Sequence, residues 1–246
     1  MKADPFAQLK LLDIAEIDAR LLQLRHQLAT LPETKQIRDL QAERKLVDDA
    51  AIDARVRRDD LAAAQAKAEK DVEAVRTRRV REQQRIDAGQ VTNPKDLERL
   101  QAELANIDRR ILVLEDEELE VMEQLETASA EAAEFDAKIA AIDEQIATLT
   151  QQRAERAAGI EKELAEVTAE RGPATEGMPA DLMALYDRLR EQHGIGAGEL
   201  RARQCGGCRL TVEPAELARI RAAQSNEVIR HEECGVILVR TAESGL

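Results

Sequence analysis

Aromatic side chains are almost absent from this sequence. It has no Trp, one Tyr (Tyr186) and two Phe (Phe6 and Phe135), whereas 35% of its 246 residues are charged. Few large apolar groups, together with abundant Ala, Leu, Glu, Arg and Gln, are typical of long helices and coiled coils. Such a chain buries a seam and leaves little room for an enclosed catalytic pocket, so the composition argues against an enzyme.

Long apolar runs are also missing, and cysteines are few. No uncharged stretch approaches the roughly 18 residues of a membrane-spanning helix, and the acid-containing N-terminus is unlike a signal peptide. The three cysteines include one CxxC pair, which favours a metal or redox role and a reducing compartment over a disulfide framework. We therefore expect a cytoplasmic protein without a membrane segment.

Positive charge is scarce overall, since the formal net charge is −13. This argues against general affinity for nucleic acid. Residues 76–100 are an exception, with seven basic residues against four acidic ones. This basic cluster predicts a contact with a partner or with phosphates; the alternative is pairing with acidic residues of an opposing helix. Its members are Arg76, Arg78, Arg79, Arg81, Arg85, Lys95 and Arg99.

Glycine and proline are absent from residues 95–158, where two heptad tracks run side by side. Fifteen of the sixteen track positions are apolar and alternate in steps of three and four, which predicts coiled-coil packing. We expect this helix to end at Gly172-Pro173. One track is Leu97, Leu104, Ile111, Glu118, Leu125, Ala132, Ile139 and Ile146; the other is Leu100, Ile107, Leu114, Val121, Ala128, Phe135, Ile142 and Leu149.

The preceding residues predict the other arm of an antiparallel hairpin. Residues 5–31 and 34–87 are helical in pattern, and Pro32 breaks or kinks the chain between them. Gly89 and Asn93-Pro94 predict a turn at 88–94, with Asn93 or Thr92 capping the next helix. A coiled-coil hairpin is thus expected over 1–171. The partly polar seam of 34–87 leaves room for another helix, so a homodimer is compatible with the pattern.

The last part of the chain predicts a small metal-binding module. Residues 172–194 form a linker and a short amphipathic helix, and residues 195–246 alternate as short strands around CxxC and HxxC pairs. These pairs, Cys205 with Cys208 and His231 with Cys234, have the spacing of two zinc knuckles. Four protein ligands would leave no open position, so we expect one structural Zn²⁺ per chain.

The cysteines also allow other interpretations. His231 could be an exposed histidine in a site that has lost a ligand, or Cys205 and Cys208 could be a redox pair. A thioredoxin-like context is missing, however, and a segment of this size with few large apolar groups needs a metal to fold. The segment 195–246 has seven Arg and seven Glu, so its near-neutral charge does not favour phosphate binding.

Four motifs together resemble a bacterial family of coiled-coil proteins with a C-terminal C4-type zinc ribbon. They are NPKDLERLQ (93–101), LMALYDRLR (182–190), CGGC (205–208) and HEECGVIL (231–238). The resemblance covers nearly the whole chain and implies non-enzymatic adaptors, some associated with transcription regulators or RNA. This chain departs from the family pattern at His231, where Cys is usual, and at Val236, where Arg is usual.

The sequence therefore predicts a mainly α protein, a long antiparallel coiled-coil hairpin with a small zinc ribbon. We expect a non-enzymatic adaptor that presents the ribbon for protein contact, plausible in gene regulation. The alternative is a nucleic-acid-binding protein that uses the basic cluster and the ribbon.

Overall fold

The computed structural model describes all residues, 1–246. It confirms the predicted fold class, a long helical hairpin with a small strand module. The chain forms two compact units, one of residues 1–34 and 151–246 and one of residues 35–150. The elements in order are α1 (Pro5–Ala29), α2 (Pro32–Asp87), α3 (Pro94–Thr175), α4 (Ala180–His193), β1 (Ala197–Arg201), β2 (Gln204–Cys205), α5 (Pro214–Ala222), β3 (Ile229–Arg230) and β4 (Ile237–Arg240).

Prolines and caps set where the helices begin. The carboxylate of Asp4 accepts a hydrogen bond from the backbone N–H of Phe6 at 2.7 Å, and Pro5 occupies the first position of α1. Helix α1 ends at Ala29 and α2 begins at Pro32, which is where the sequence predicted a break. At α3 the side chain of Asn93 accepts from the N–H of Lys95 at 3.0 Å, so Asn93 rather than Thr92 provides the cap.

In the unit of residues 35–150, α2 and α3 run antiparallel. Arg79 pairs with Asp108 and Arg44 pairs with Asp143, and both pairs are symmetrical about the turn at Asn93. Half-exposed pairs of this kind contribute little stability each but fix the register. The buried apolar residues of α3 fall on the predicted heptad tracks: Leu104, Ile107, Ile111, Leu114, Ala128, Ala132 and Ile142.

Helix α3 extends past its predicted end. It was expected to stop at Gly172-Pro173, but it continues to Thr175 with Pro173 inside it. Proline removes a single N–H, and so close to the helix end this loses only one hydrogen bond. The hydroxyl of Thr175 donates to the carbonyls of Arg171 at 3.0 Å and Gly172 at 2.9 Å, which satisfies acceptors of the last turn.

The four strands form one sheet in the order β2-β1-β4-β3. Strands β1 and β4 are parallel neighbours, whereas β2 and β3 pair antiparallel at the two edges. Successive side chains of β4 alternate between faces. Ile237 and Val239 join a core with Leu11, while Leu238 joins a second core with Ile220. Because both faces of the sheet are covered, β4 is apolar along almost its whole length.

Helix α1 belongs to the same core as the ribbon strands. The core combines α1 (Leu11 and Ile14), α4 (Leu182 and Tyr186) and the sheet. The residues before α1 add backbone pairing, since the N–H of Ala3 donates to the carbonyl of Asn226 at 2.8 Å. The start of the chain thus holds the ribbon in place, a contact the sequence did not predict.

A buried carboxylate connects α1 with α4 and the end of α3. Asp18 is 7% exposed and accepts hydrogen bonds from the hydroxyl of Tyr186 at 2.9 Å, from Nε of Arg171 at 2.8 Å and from Nη1 of Arg190 at 3.1 Å. Burial, followed by the nearby charge of Asp18, raises the pKa of Tyr186 well above its usual value. Tyr186 therefore stays protonated and acts as a donor.

None of the helices combines the length and the apolar character needed to cross a bilayer.

Candidate metal centre

The first pair of predicted ligands lies in a tight turn at the end of β2. The N–H of Arg209 donates to the carbonyl of Cys205 at 2.7 Å, which closes the turn around Cys208. A Cβ atom on Gly206 would lie 2.8 Å from the carbonyl oxygen of Glu199. Only glycine therefore allows this turn to pack against β1.

The second pair lies in a similar turn between β3 and β4. The N–H of Gly235 donates to the carbonyl of His231 at 2.8 Å, and the N–H of His231 donates to the carbonyl of Val236 at 3.0 Å. Gly235 has a left-handed φ of 73°, and Arg209 holds the corresponding position of the first turn with a φ of 64°. Both turns aim their two ligand side chains inward, towards one point.

The four predicted ligands converge on that point. One ligand atom from each of Cys205, Cys208, His231 and Cys234 lies within 4.8 Å of all the others. Nδ1 of His231 is 3.1 Å from the sulfur of Cys234 and 3.4 Å from that of Cys208, and the sulfurs of Cys205 and Cys234 are 3.8 Å apart. Sulfurs about 2.3 Å from a tetrahedral zinc would be about 3.8 Å apart, and a nitrogen about 2.0 Å from it would be about 3.5 Å from each sulfur, so these separations suit one ion.

Burial of the cluster bears on the alternative that this is a decayed site. His231 is only 1% exposed and Cys205 is fully buried. His231 is therefore not an exposed histidine, and its Nδ1 atom faces the sulfurs rather than solvent. A buried imidazole aimed at three thiols is the arrangement expected of a fourth ligand.

The thiols also show why a cation suits this pocket. Burial raises the pKa of Cys205, and it raises that of Cys234 to about 12. At Cys208 burial also opposes ionisation, but hydrogen bonds from the N–H of Leu210 and from the other two thiols outweigh it, and the pKa is lowered. Burial thus favours the protonated form of Cys205 and Cys234, and a divalent ion would stabilise the three thiolates together, so the donor set fits zinc.

One buried residue beside the cluster was missed in the sequence. Glu216, in the first turn of α5, is 3% exposed, and its Oε1 accepts from the N–H of Glu232 at 2.9 Å. Its Oε2 lies 3.8 Å from Nε2 of His231. A Glu at the start of a short helix usually reaches solvent, so the sequence alone did not distinguish it from its neighbours.

The basic cluster of residues 76–99 is largely occupied by ion pairs. Arg76 contacts Glu115, Arg78 contacts Glu103 and Arg79 contacts Asp108, all across the hairpin. Arg85 pairs within α2 with Glu82 at 2.6 Å. Three of these contacts are the alternative that the sequence left open, pairing with acidic residues of the opposing helix. Three of the predicted contact residues, Arg81, Lys95 and Arg99, form no ion pair.

Fold and site together define a class of protein: a coiled-coil helical hairpin followed by a zinc ribbon. Residues 14–194 match the CT398-like coiled coil hairpin domain, and residues 204–238 match the C4-type zinc ribbon domain. The chain belongs to the CT398-like coiled-coil hairpin family. The ribbon match and the convergent cluster identify one structural zinc per chain, in a Cys₃His variant of the C4 type.

Relatives in two mycobacteria align with nearly the whole chain. An uncharacterised protein of Mycobacterium tuberculosis, Rv2229c, is 34% identical over 240 residues, which cover 98% of each chain. A Mycobacterium leprae protein, ML1638, is 26% identical over 232 residues, covering 91% of this chain and 96% of the relative.

Solved structures show the same fold. A Mycobacterium smegmatis protein superposes with a TM-score of 0.84 at 32% identity, covering 98% of this chain and 100% of the other. CT398 from Chlamydia trachomatis superposes with a TM-score of 0.64 at 16% identity, covering 96% of this chain and 98% of the other. At that identity the second likeness concerns the fold alone.

Proposed function

We propose that this protein is a non-enzymatic adaptor of the cytoplasm that binds a protein partner through its hairpin and zinc ribbon, in gene regulation. In this proposal Cys205, Cys208, His231 and Cys234 hold the zinc. The observation that carries the proposal is the metal cluster itself. Four protein side chains complete the tetrahedral coordination of one zinc ion, so the zinc stabilises the shape of the ribbon and has no open position for a substrate.

The hairpin supports a protein contact through an apolar stripe that its own seam does not use. Leu112 and Leu119 lie one heptad apart on α3, and Met122 follows three residues later. Their exposed fractions are 61%, 56% and 42%, whereas the neighbouring seam residue Leu114 is buried. Exposed apolar side chains at heptad spacing are typical of a helix that receives a partner helix.

The ribbon supports a second contact at its first knuckle. Leu210 follows this turn and is 55% exposed, whereas Leu200 of β1 and Leu238 of β4 are fully buried. Its carbonyl accepts from the N–H of Cys205 at 2.9 Å, so its backbone belongs to the turn while its side chain stays free. A leucine held in this way on a rigid turn is suited to insert into a pocket of a partner.

The test is a pull-down with the full-length chain from nuclease-treated lysate. Leu112→Glu with Leu119→Glu, and separately Leu210→Glu, should reduce recovery of the partner at least about 10-fold, because each places a charge in an apolar contact. Ala130→Glu, which adds a single charge at an exposed position of α3, is the control and should bind as the wild type does.

Two results would contradict the adaptor proposal. In the first, the recovered material disappears on nuclease treatment. In the second, both leucine variants retain the partner as well as Ala130→Glu does. Light scattering on the same variants shows whether the partner is a second copy of this chain. If it is, the wild type should have the mass of a dimer and the variant Leu112→Glu with Leu119→Glu the mass of a monomer.

Nucleic-acid binding is the second candidate, and the unpaired cations favour it. Arg81, Lys95 and Arg99 lie near the hairpin turn without acidic partners, so their charges are available to phosphates. Arg76, Arg78 and Arg79 are already neutralised across the hairpin. Any phosphate contact should therefore depend on the unpaired residues.

Binding to labelled RNA and DNA at several salt concentrations tests this candidate. If it is correct, the logarithm of affinity falls with the logarithm of salt by roughly 0.9 per phosphate contact. Arg81→Glu with Arg99→Glu should then abolish binding, while Arg78→Glu has a smaller effect. Absence of binding at low salt would eliminate the candidate.

A further inference from the structure

The buried carboxylate of Glu216 faces the histidine of the metal cluster. Glu216 is 3% exposed and His231 is 1% exposed, so neither side chain reaches bulk water. The two oxygens of Glu216 have different surroundings. Oε1 accepts from the N–H of Glu232 at 2.9 Å, whereas Oε2 points to Nε2 of His231 at 3.8 Å.

The imidazole nitrogen on that side lacks a partner. Nε2 of His231 is buried without any hydrogen bond, while Nδ1 lies among the sulfurs of Cys208 and Cys234. An imidazole that gives its Nδ1 lone pair to a metal carries its proton on Nε2. A buried N–H without an acceptor is unfavourable, and the nearest carboxylate oxygen is about 0.9 Å beyond ordinary hydrogen-bond distance.

From this geometry we infer that Glu216 is a positioning residue for the zinc site. When zinc binds, the carboxylate of Glu216 accepts a hydrogen bond from the Nε2–H of His231 and so orients Nδ1 towards the metal. The inference rests on the four-ligand zinc site of the proposed function. Metal-binding histidines commonly donate their second N–H to a carboxylate, which fixes the tautomer and makes the ligand more basic.

Charge explains why Glu216 and His231 suit each other. Zinc with three thiolates and a neutral imidazole carries a net charge of about −1, and the imidazole offers the carboxylate a donor. A cysteine at position 231 would raise the site charge to about −2 and offer no donor. The buried Glu216 would then face a thiolate without compensation, so it is favourable only with histidine as the fourth ligand.

Glu216 also has a structural role, because it accepts a hydrogen bond from the N–H of Glu232, and the experiment must distinguish this role from its effect on zinc. This hydrogen bond ties α5 to the second knuckle whether or not zinc is bound. Glu216→Gln keeps an oxygen that can accept from this N–H and keeps the volume of the side chain. Glu213→Gln is the matched control, because Glu213 precedes α5, is exposed and makes no side-chain cap.

The experiment measures zinc affinity of the full-length chain by competition with a chromophoric chelator. The chains are the wild type, Glu216→Gln, Glu213→Gln, His231→Cys and the double variant His231→Cys with Glu216→Gln. Glu216→Gln should weaken zinc binding by roughly 10-fold to 100-fold with histidine at position 231. With cysteine at that position the same change should leave affinity equal or higher, and Glu213→Gln should have no effect.

An NMR measurement on the zinc-bound chain provides a readout that a purely structural Glu216 would leave unchanged. The Nε2–H proton of His231 should resonate far downfield in the wild type and move upfield in Glu216→Gln. The inference is overturned if Nδ1 rather than Nε2 carries the proton, or if Glu216→Gln weakens zinc equally in both backgrounds or in neither. Wild type purified without any zinc would overturn the four-ligand site as well, so the two failures are distinguishable.

Discussion

Replacing Asp18 with Asn tests the buried ion-pair network that joins α1, α4 and the end of α3. The side chain of Asp18 is 4% exposed, and those of its partners Arg171 and Arg190 are 27% and 30% exposed. Removing the charge leaves the two guanidinium groups with the half-exposed carboxylate of Asp187 alone, which lies 2.7 Å from Arg171 and 3.6 Å from Arg190. Breaking a buried pair in this way costs roughly 3 to 5 kcal/mol, and the isosteric amide retains part of the contact, so we expect a loss of about 3 kcal/mol.

Intrinsic fluorescence provides the assay. The chain has one tyrosine and no tryptophan, so its emission comes from Tyr186, whose hydroxyl donates to Asp18. Urea unfolding followed at this residue should show a lower midpoint for Asp18→Asn with an unchanged slope.

A matched control is Glu163→Gln, which removes the carboxylate of a half-exposed pair with Arg20 in the same compact unit. Its loss should stay below about 1 kcal/mol because water screens the pair. Equal losses for Asp18→Asn and Glu163→Gln would refute the reasoning, since burial would then make no difference to the value of the charge.

Three further predictions concern single side chains. Tyr186→Phe should lower the free energy of unfolding at pH 8 by about 1.5 to 3 kcal/mol. Because the pKa of Tyr186 is raised in the folded chain, the unfolded chain loses this proton first, and the stability advantage of the wild type should shrink above pH about 10. A constant difference in stability up to pH 11.5 would contradict this prediction. Gly235→Ala places a Cβ at a φ of 73° and should lower the stability of the zinc-bound chain to thermal unfolding by about 1 to 2 kcal/mol. Arg209→Gly, at a φ of 64°, should leave the stability unchanged or raise it. A more stable Gly235→Ala and a less stable Arg209→Gly would be inconsistent with left-handed turns at these positions. The guanidinium of Arg240 donates to the carbonyls of Ala223 at 3.0 Å and Gln224 at 2.6 Å beyond α5, so Arg240→Lys should lower urea stability by about 1 to 3 kcal/mol, and an unchanged midpoint would show that these bonds contribute little.

The structure shows what surrounds Val236, the position at which the resembling family usually has Arg. Val236 is 2% exposed and packs in the core of the ribbon beside the zinc knuckles. A Cβ on Gly207 would lie 2.9 Å from a methyl group of Val236, so the two positions are fitted to one another. An arginine in place of this valine would require a different arrangement of the first knuckle.

The division of the chain at residues 171 and 194 stays a prediction. The shared core of Leu11, Leu182 and Ile237 suggests a way to examine it. Leu11→Ala, which removes a fully buried side chain of α1, should cost about 2 to 5 kcal/mol. If the ribbon of 195–246 folds independently of α1, zinc affinity will be unchanged in this variant; if it depends on α1, affinity will fall.

Features that depend on neighbours along the chain could be predicted from the amino-acid sequence. The heptad tracks, the turn at Asn93-Pro94 and the spacing of the two ligand pairs are local patterns, because a helix repeats every 3.6 residues and a knuckle needs two residues between its ligands. These patterns predicted the hairpin, the metal and the four residues that converge.

Contacts between distant segments could not be predicted in this way, because they depend on how the folded elements pack. The parallel pairing of β1 with β4, the three donors around Asp18 and the approach of Glu216 to His231 each join residues far apart in the chain. Nothing in the local pattern marks Glu216 or Asp18 among the 49 acidic residues. Their burial depends on which elements cover them, and burial is what changes an ordinary carboxylate into one that must find a partner.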